Sequence, residues 1–299
     1  MSCLRRVIAL GFFDGVHLGH RMLLARTRER AAELGATPAV ISFDAHPDEV
    51  VFHRPVRLLG TTAERRELIA RVGGIEDILL LHFDDRMMRM PWEVFLQSLT
   101  DELGAVHLVM GEDFSCGYRG EGTAERLCAR CDELGIGHDV IAQMSLDGVV
   151  VSSTYIRELI SDGRMEEAAR YLGHPHSISD TVSLGFKIGR TIGAPTINTR
   201  IPAGVIVPRF GVYATRVYLQ DGAHLSVTNV GVRPTFGGGE DVTVESHILD
   251  FQGDLYGKEV RIEFYHFLRP EQRFETVEAL RLQIERDKDS VRRYFSALG

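Results

Sequence analysis

At 299 residues the chain is long enough for two domains of ordinary size, and its formal net charge of -8 argues against general affinity for nucleic acid or an anionic membrane surface. No apolar run approaches the roughly 18 residues of a membrane span, and the start carries no signal-type apolar segment with a cleavage site. The expectation is a soluble, cytoplasmic protein with no nucleic-acid and no membrane partner, a monomer or a weak homo-oligomer. Arginines far outnumber lysines (Lys187, Lys258 and Lys288), so anion contacts are expected from Arg, backbone N–H groups and histidine.

The chain opens on its most informative stretch, Val7–His20, reading V-I-A-L-G-F-F-D-G-V-H-L-G-H. A short apolar run, a turn carrying Gly11, Phe12 and Asp14, and two histidines flanking Leu18-Gly19 lead directly into a helical pattern. Strand, Gly-rich turn and helix start together make a phosphate-holding device, because the first helical N–H groups have no partner within the helix. His17 and His20 can meet the same anion along that turn. The stretch is not a P-loop, since no G-x-x-x-x-G-K-[ST] occurs.

Strand-like segments at Val7–Leu10, Ala39–Phe43, Asp77–Leu81, Val106–Met110 and Gly137–Ile141 alternate with helical patterns at His20–Leu34, Thr62–Val72, Pro91–Leu103, Thr123–Leu134 and Ser153–Ile160. This alternation predicts a parallel sheet with crossover helices, and a ligand at the carboxyl ends of the strands. The polar stretches following the strands are therefore the ones to watch, Asp44-Ala-His46-Pro47 among them. Met165–Tyr171 reads as a last short helix, and Leu172-Gly-His-Pro-His-Ser as a punctuated hinge.

Beyond residue 172 the period changes to two, at Gly211–Leu219, Leu225–Val230, Val242–Leu249 and Glu259–Leu268, before one strong helix at Val277–Phe295. Short strands with Gly-rich turns and a terminal helix predict a small β-barrel with a helix across it.

Several further clusters could carry chemistry. Val151-Ser-Ser-Thr-Tyr-Ile-Arg157 offers capping hydroxyls and an Arg one turn into a helix, either an ordinary helix start or a second phosphate clamp. Gly111–Gly120, with Asp113 and Phe114, could wrap a planar ring, or could simply bury Phe114. Gly185, Gly189 and Gly193 are spaced by four and lead into Pro195-Thr196-Ile-Asn198. Glycines permit close backbone approach to phosphate, while a Thr hydroxyl and an Asn amide oxygen can coordinate Mg²⁺; ordinary barrel turns would read the same. Glu245 shares a strand face with Thr243 and His247, opposite Val244 and Ser246. That polar face is odd for a barrel unless it looks into a site, which makes Glu245 a candidate base. Cys128 and Cys131 have a metal-like spacing but no second pair, and reduced structural thiols are expected.

These motifs, in this order and spacing, resemble the bacterial bifunctional riboflavin kinase/FAD synthetases over almost the whole chain. They are Gly11–His20, Phe43–Pro47, Gly111–Phe114, Ser152–Arg157, Gly189–Asn198, Asn229–Phe236 and Phe251–Gly257. The resemblance implies an α/β nucleotidyltransferase-type parallel-sheet domain at 1–171 and a riboflavin-kinase-like β-barrel domain with a C-terminal helix at 172–299. It implies two ATP- and Mg²⁺-dependent steps, phosphorylation of riboflavin to FMN and transfer of AMP to FMN giving FAD and pyrophosphate. By position it makes His17, His20 and Arg157 catalytic in the first domain and Glu245 the base of the second. Gly11, Phe12, Asp14, Gly19, His46, Asp113, Phe114, Ser153, Thr154, Gly185, Gly189, Arg190, Pro195 and Asn198 become binding residues, with Thr196 and Asn198 at the metal. Ala194, Ile197 and Asp44 depart from the family's usual residues, and none of them removes a polar group the chemistry needs. A single-activity adenylyltransferase would lack use for the barrel motifs. A kinase with a non-catalytic first domain would have no use for the two histidines, and a nucleic-acid-binding barrel would need a basic, aromatic-lined face.

Overall fold

The computed structural model describes residues 4–183, 196–234 and 240–298. The chain divides into two compact units, Met1–Ser153 and Thr154–Gly299, a division that falls one residue into the helix Ser153–Ser161.

The first unit is built on five parallel strands: β1 (Arg6–Leu10), β2 (Thr37–Phe43), β3 (Asp77–Leu81), β4 (Ala105–Gly111) and, at the edge, Gly137–Ile141. The spatial order is β3, β2, β1, β4 and then the Gly137–Ile141 strand. Central β1 is apolar from Val7 to Leu10 because helices cover both faces, as a parallel sheet requires. Ile8 and Leu10 pack with Ile41, Leu108, Phe95, Leu99 and Leu127 on one side. Val7 and Ala9 pack with Leu23, Leu24, Val40, Leu68 and Ile69 on the other.

Helix α1 (Leu18–Leu34) follows β1, takes His17 as its N-cap and stops at Gly35, whose φ of 56° is the left-handed conformation that glycine adopts without steric cost. Strand order reverses between β1 and β4, since the chain winds one way through β2 and β3 and the other way through β4. The crevice outside the carboxyl ends of β1 and β4 is therefore the expected ligand position. The predicted elements correspond closely here, with Asp77–Leu81 and Gly137–Ile141 matching at both ends. Pro91 is the N-cap of the helix Trp92–Asp101 rather than part of its first turn.

The second unit takes in all but the first residue of the helix Ser153–Ser161 and the helix Met165–Leu172, then forms a six-stranded sheet in the order His176–Thr181, Glu259–Arg269, Gly211–Leu219, Gly222–Pro234, Glu240–Ile248 and Ile197–Arg200. The two end strands approach at Ser183, whose N–H donates to the Asn198 carbonyl at 2.8 Å, so the sheet nearly closes into a barrel. His176–Thr181 corrects the hinge reading: Gly173 ends the preceding helix, and a strand starts at His176.

The barrel interior holds Tyr213, Val230, Val244, Ile262 and Phe264 together with a ladder of hydroxyls. Thr228 Oγ1 lies 2.7 Å from both Thr215 Oγ1 and Ser246 Oγ, so these buried polar groups satisfy one another. Outside the wall, Val212, Ala214 and Val227 meet Val291 and Phe295 of the C-terminal helix Val277–Leu298.

Candidate active sites

The turn after β1 is held in an unusual conformation. Phe13, Gly15 and Val16 all have positive φ, and two of them are not glycine. Side chains other than glycine tolerate this region poorly, and such strain persists only where surrounding contacts enforce it. Asp14 supplies part of that enforcement: it is buried, its Oδ1 accepts the Leu59 N–H at 2.9 Å, and its carbonyl accepts the Ser153 hydroxyl at 3.0 Å. Ser153 thus latches the start of the Ser152–Arg157 motif to the turn.

His17 Nδ1 accepts the His20 N–H at 3.3 Å, and the two rings stack with centroids 3.6 Å apart. In the neutral ring this leaves the His17 proton on Nε2, a donor facing away from the helix cap. Burial lowers the His17 pKa to about 4, against a smaller opposing pull from Asp113. Burial also lowers His20, and its Nδ1 is buried without a hydrogen-bond partner. Both rings are therefore neutral near pH 7, and act as oriented donors rather than as cations. Gly19 lies flat against this pair: a Cβ there would sit 3.3 Å from the His17 ring.

Around this pair the other predicted residues take separate places. Phe12 meets His46 edge-on at 4.6 Å between centroids, and His46 caps the helix Pro47–Phe52 by accepting the Asp48 N–H. A Cβ at Gly11 would press on the Phe13 ring at 3.1 Å. Asp113 is exposed and accepts from Gln143 at 3.2 Å, while Phe114 is partly buried against the core. One glycine of the 111–120 loop is taken up by packing within the protein. Gly117, and Gly122 just beyond, lie against Trp92, where a Cβ would come within 2.6 and 2.4 Å. Thr154 is exposed and Arg157 half-buried on the helix Ser153–Ser161, in the second unit.

Asp44 ties the end of β2 to the stretch after β3, with Oδ2 2.6 Å from His82 Nδ1 and Oδ1 accepting the Phe83 N–H. Among the described residues no group of three or more His, Cys, Asp or Glu could hold a metal. Burial raises the Cys131 thiol to about 11, which makes it an inert core residue.

In the barrel, Glu245 pairs across the strands with Asn198 on one side and Asn229 on the other. These three polar residues form a row over three strands, all half-buried. The predicted phase is correct, with Val244 and Ser246 buried and Thr243 and His247 partly exposed. The row lies on the outer side of the barrel wall, however, and not in its interior, where the polar positions are the hydroxyl ladder. Asn229 Nδ2 donates to Glu271 Oε1 at 3.0 Å, an orienting contact that sequence reading did not identify.

A cavity of about 330 Å³ is lined by Val182, Thr196, Ile197, Ser246, Leu255 and Tyr256, and Ser246 belongs to the inward-facing hydroxyl ladder, opposite in phase to Glu245. It uses Thr196 and the Phe251–Gly257 motif, and the departing residue Ile197 is part of its wall. Gly185, Gly189, Arg190, Ala194 and Pro195 lie outside the described residues.

A family model for FAD synthetase matches residues 3–155, and one for riboflavin kinase matches residues 172–295. A bifunctional riboflavin kinase/FMN adenylyltransferase of Listeria monocytogenes is 34% identical, with 99% of this chain and 94% of the relative covered. The chain belongs to the bacterial bifunctional riboflavin kinase/FAD synthetase family. A second member, from Pseudomonas fluorescens, is 36% identical over 96% of this chain and 92% of its own. A solved structure from Streptococcus pneumoniae, described as a macrolide-efflux protein, superposes with a TM-score of 0.88 at 29% identity, covering 98% of this chain and 95% of that one. Among the described residues, no helix of this family member is long and apolar enough to cross a membrane.

Proposed function

We propose that this cytoplasmic protein phosphorylates riboflavin to FMN in its barrel domain, residues 172–299, and adenylylates FMN to FAD in its parallel-sheet domain, residues 1–171. The observation that carries the reading is the stacked, neutral His17/His20 pair at a helix N-terminus beside the strand-order reversal. The family-model ranges support the same division of labour.

In the sheet domain an FMN phosphate oxygen attacks the α-phosphorus of ATP, the bond to the bridging oxygen breaks, and pyrophosphate leaves. The nucleophile is already an anion near pH 7, so no base is required. His17 and His20, the free N–H groups of α1, and Arg157 stabilise the charge that moves onto the leaving group. Gly11 and Gly19 let the backbone approach the phosphates, with Ser153 and Thr154 as hydroxyl donors. Phe12, His46, Asp113 and Phe114 form the surrounding pocket, and Asp14 acts by bracing the turn.

In the barrel domain Glu245 orients the riboflavin 5′-hydroxyl and accepts its proton as the oxygen attacks the γ-phosphorus of ATP, releasing ADP. Gly185, Gly189, Arg190 and Pro195 belong to the loop assigned to ATP phosphates. The cavity lined by Val182, Ile197 and Tyr256 suits a nucleotide base, with Thr196 at its edge. Thr196 and Asn198 offer a hydroxyl and an amide oxygen, a sparse hard donor set that fits Mg²⁺, which keeps water and substrate phosphates among its ligands. When bound, Mg²⁺ neutralises charge on the ATP phosphates.

A chromatographic time course with riboflavin, ATP and Mg²⁺ tests the whole reading. FMN should rise and then give way to FAD. FMN that never converts, even with fresh enzyme and ATP, would leave a kinase with a non-catalytic first domain.

A further inference from the structure

Arg65 is a charged side chain in the wrong place for an ordinary helix surface. It lies in Thr62-Ala-Glu-Arg-Arg on the short helix Thr62–Leu68, and its neighbour Arg66 is exposed as expected. Arg65 is only 3% exposed. A buried cation is costly unless the surroundings compensate it, and here compensation is partial. The guanidinium donates to the Phe43 carbonyl at the end of β2 and, at 3.5 Å, to Thr62 Oγ1. Its Nε is buried with no hydrogen-bond partner. Burial lowers its pKa to about 10, with Asp14 and Asp44 pulling the other way, so it remains charged at neutral pH.

What the guanidinium covers gives the clue to its use. Its central carbon sits 4.0 Å from the centroid of Phe12, whose edge meets His46. Phe12 belongs to the turn after β1, and Phe43, Asp44 and His46 to the turn after β2. Asp14, which feels the same charge, holds Leu59 just ahead of the helix that carries Arg65. One planar cation therefore joins three segments at the carboxyl edge of the sheet. A planar group can do this by stacking on a ring with its face while its edge donates to a carbonyl, which an ammonium cannot do.

We propose that Arg65 is a positioning residue of the adenylyl-transfer site, holding Phe12 and the Phe43–His46 turn as the wall against which the planar ring of a bound substrate rests. The inference builds on the adenylyl-transfer reading above. Arg65 touches neither substrate in this account. It acts through Phe12 and His46, so its loss should weaken substrate binding more than it slows the chemical step.

The test is steady-state kinetics of FAD formation on the full chain for Arg65→Met and Arg65→Lys, with riboflavin phosphorylation measured on the same preparations. Arg65→Met keeps the stem packing and removes the planar cation. It should raise KM for one substrate roughly 10- to 100-fold, the scale on which a displaced positioning group acts, with kcat changed far less. Arg65→Lys, which can still reach the Phe43 carbonyl, should fall between Met and wild type. A rise for FMN identifies the ring as the flavin, and a rise for ATP identifies it as adenine. Kinase turnover should not change in either variant. If kcat falls with both KM values unmoved, or if neither parameter moves, the positioning role is wrong. Failure of the wild-type protein to make FAD from FMN would instead overturn the underlying adenylyl-transfer reading.

Discussion

The two halves of the chain present opposite kinds of candidate group for phosphate chemistry. In the parallel-sheet unit the groups at the start of α1 are uncharged: two stacked imidazoles kept neutral by burial, and the helix's first N–H groups. In the barrel unit the central group of the row is a carboxylate, Glu245, between two amides on the outer wall. The difference follows from the nucleophiles proposed for each. A phosphate monoester arrives ionised and needs only stabilisation of the departing charge, whereas a primary hydroxyl must lose a proton. A family that performs both steps needs both kinds of site, and this chain has both kinds of side-chain arrangement.

The contrast can be broken most severely at His20. His20→Ala removes the ring stacked on His17 and should abolish FAD formation while FMN accumulates from riboflavin; chromatographic assay of both products reads it directly, and undiminished FAD synthesis would remove His20 from the mechanism. Glu245→Gln makes the converse cut. It should lower riboflavin phosphorylation by roughly 10²–10⁴-fold, the usual effect of losing a positioned general base, and leave adenylylation of supplied FMN intact. Kinase activity that survives would show that the carboxylate is not the base.

A smaller and more general effect concerns pH. His17 titrates at about 4 when folded and His176 at about 3, both lowered chiefly by burial, against about 6.5 in an unfolded chain. Below that value the unfolded state binds protons that the folded state refuses, so stability declines as pH falls from about 6.5 toward the folded values. For His17 alone the loss is on the order of 3 kcal/mol. Thermal unfolding followed between pH 7 and 4.5 should show a falling midpoint, and the decline should lessen in His176→Gln, which contributes no such titration. A midpoint that rises or stays level across that range would contradict the burial argument.

Much of this was legible in the sequence because the relevant signals are local. The apolar run at Val7–Leu10, the Gly-rich turn and the paired histidines identify a strand, a turn and a helix start within fourteen residues. The phase of Glu245 against Val244 and Ser246 followed from period-two alternation alone. Other features were not legible because they depend on partners far away in the chain. His176–Thr181 contains only one strongly apolar residue, Ile178, and follows Gly173 and Pro175, so it reads as a hinge until its pairing with Glu259–Phe264 is seen. Gly117 belongs to the stretch read as a ligand loop, and the side chain it packs against, Trp92, lies more than twenty residues earlier. The polar face of the Glu245 strand reads as one that looks into a site; that face lies on the outer side of the barrel wall, while the interior hydroxyls satisfy one another. Arg65 could not be distinguished from Arg66 by sequence, since the Phe12 ring and the Phe43 carbonyl that set it apart lie more than twenty residues earlier.

The central claim is that one chain carries two chemically distinct sites, each sufficient for its own step. Its most direct test mixes His20→Ala and Glu245→Gln proteins with riboflavin, ATP and Mg²⁺ and follows FAD. His20→Ala alone should stop at FMN, Glu245→Gln alone should make FAD from riboflavin at least roughly 10²-fold more slowly than the wild type, and the mixture should restore FAD formation as FMN released by the first is adenylylated by the second. FAD from His20→Ala alone, FAD from Glu245→Gln alone at the wild-type rate, or no gain in the mixture while each retains its remaining activity, would contradict the account.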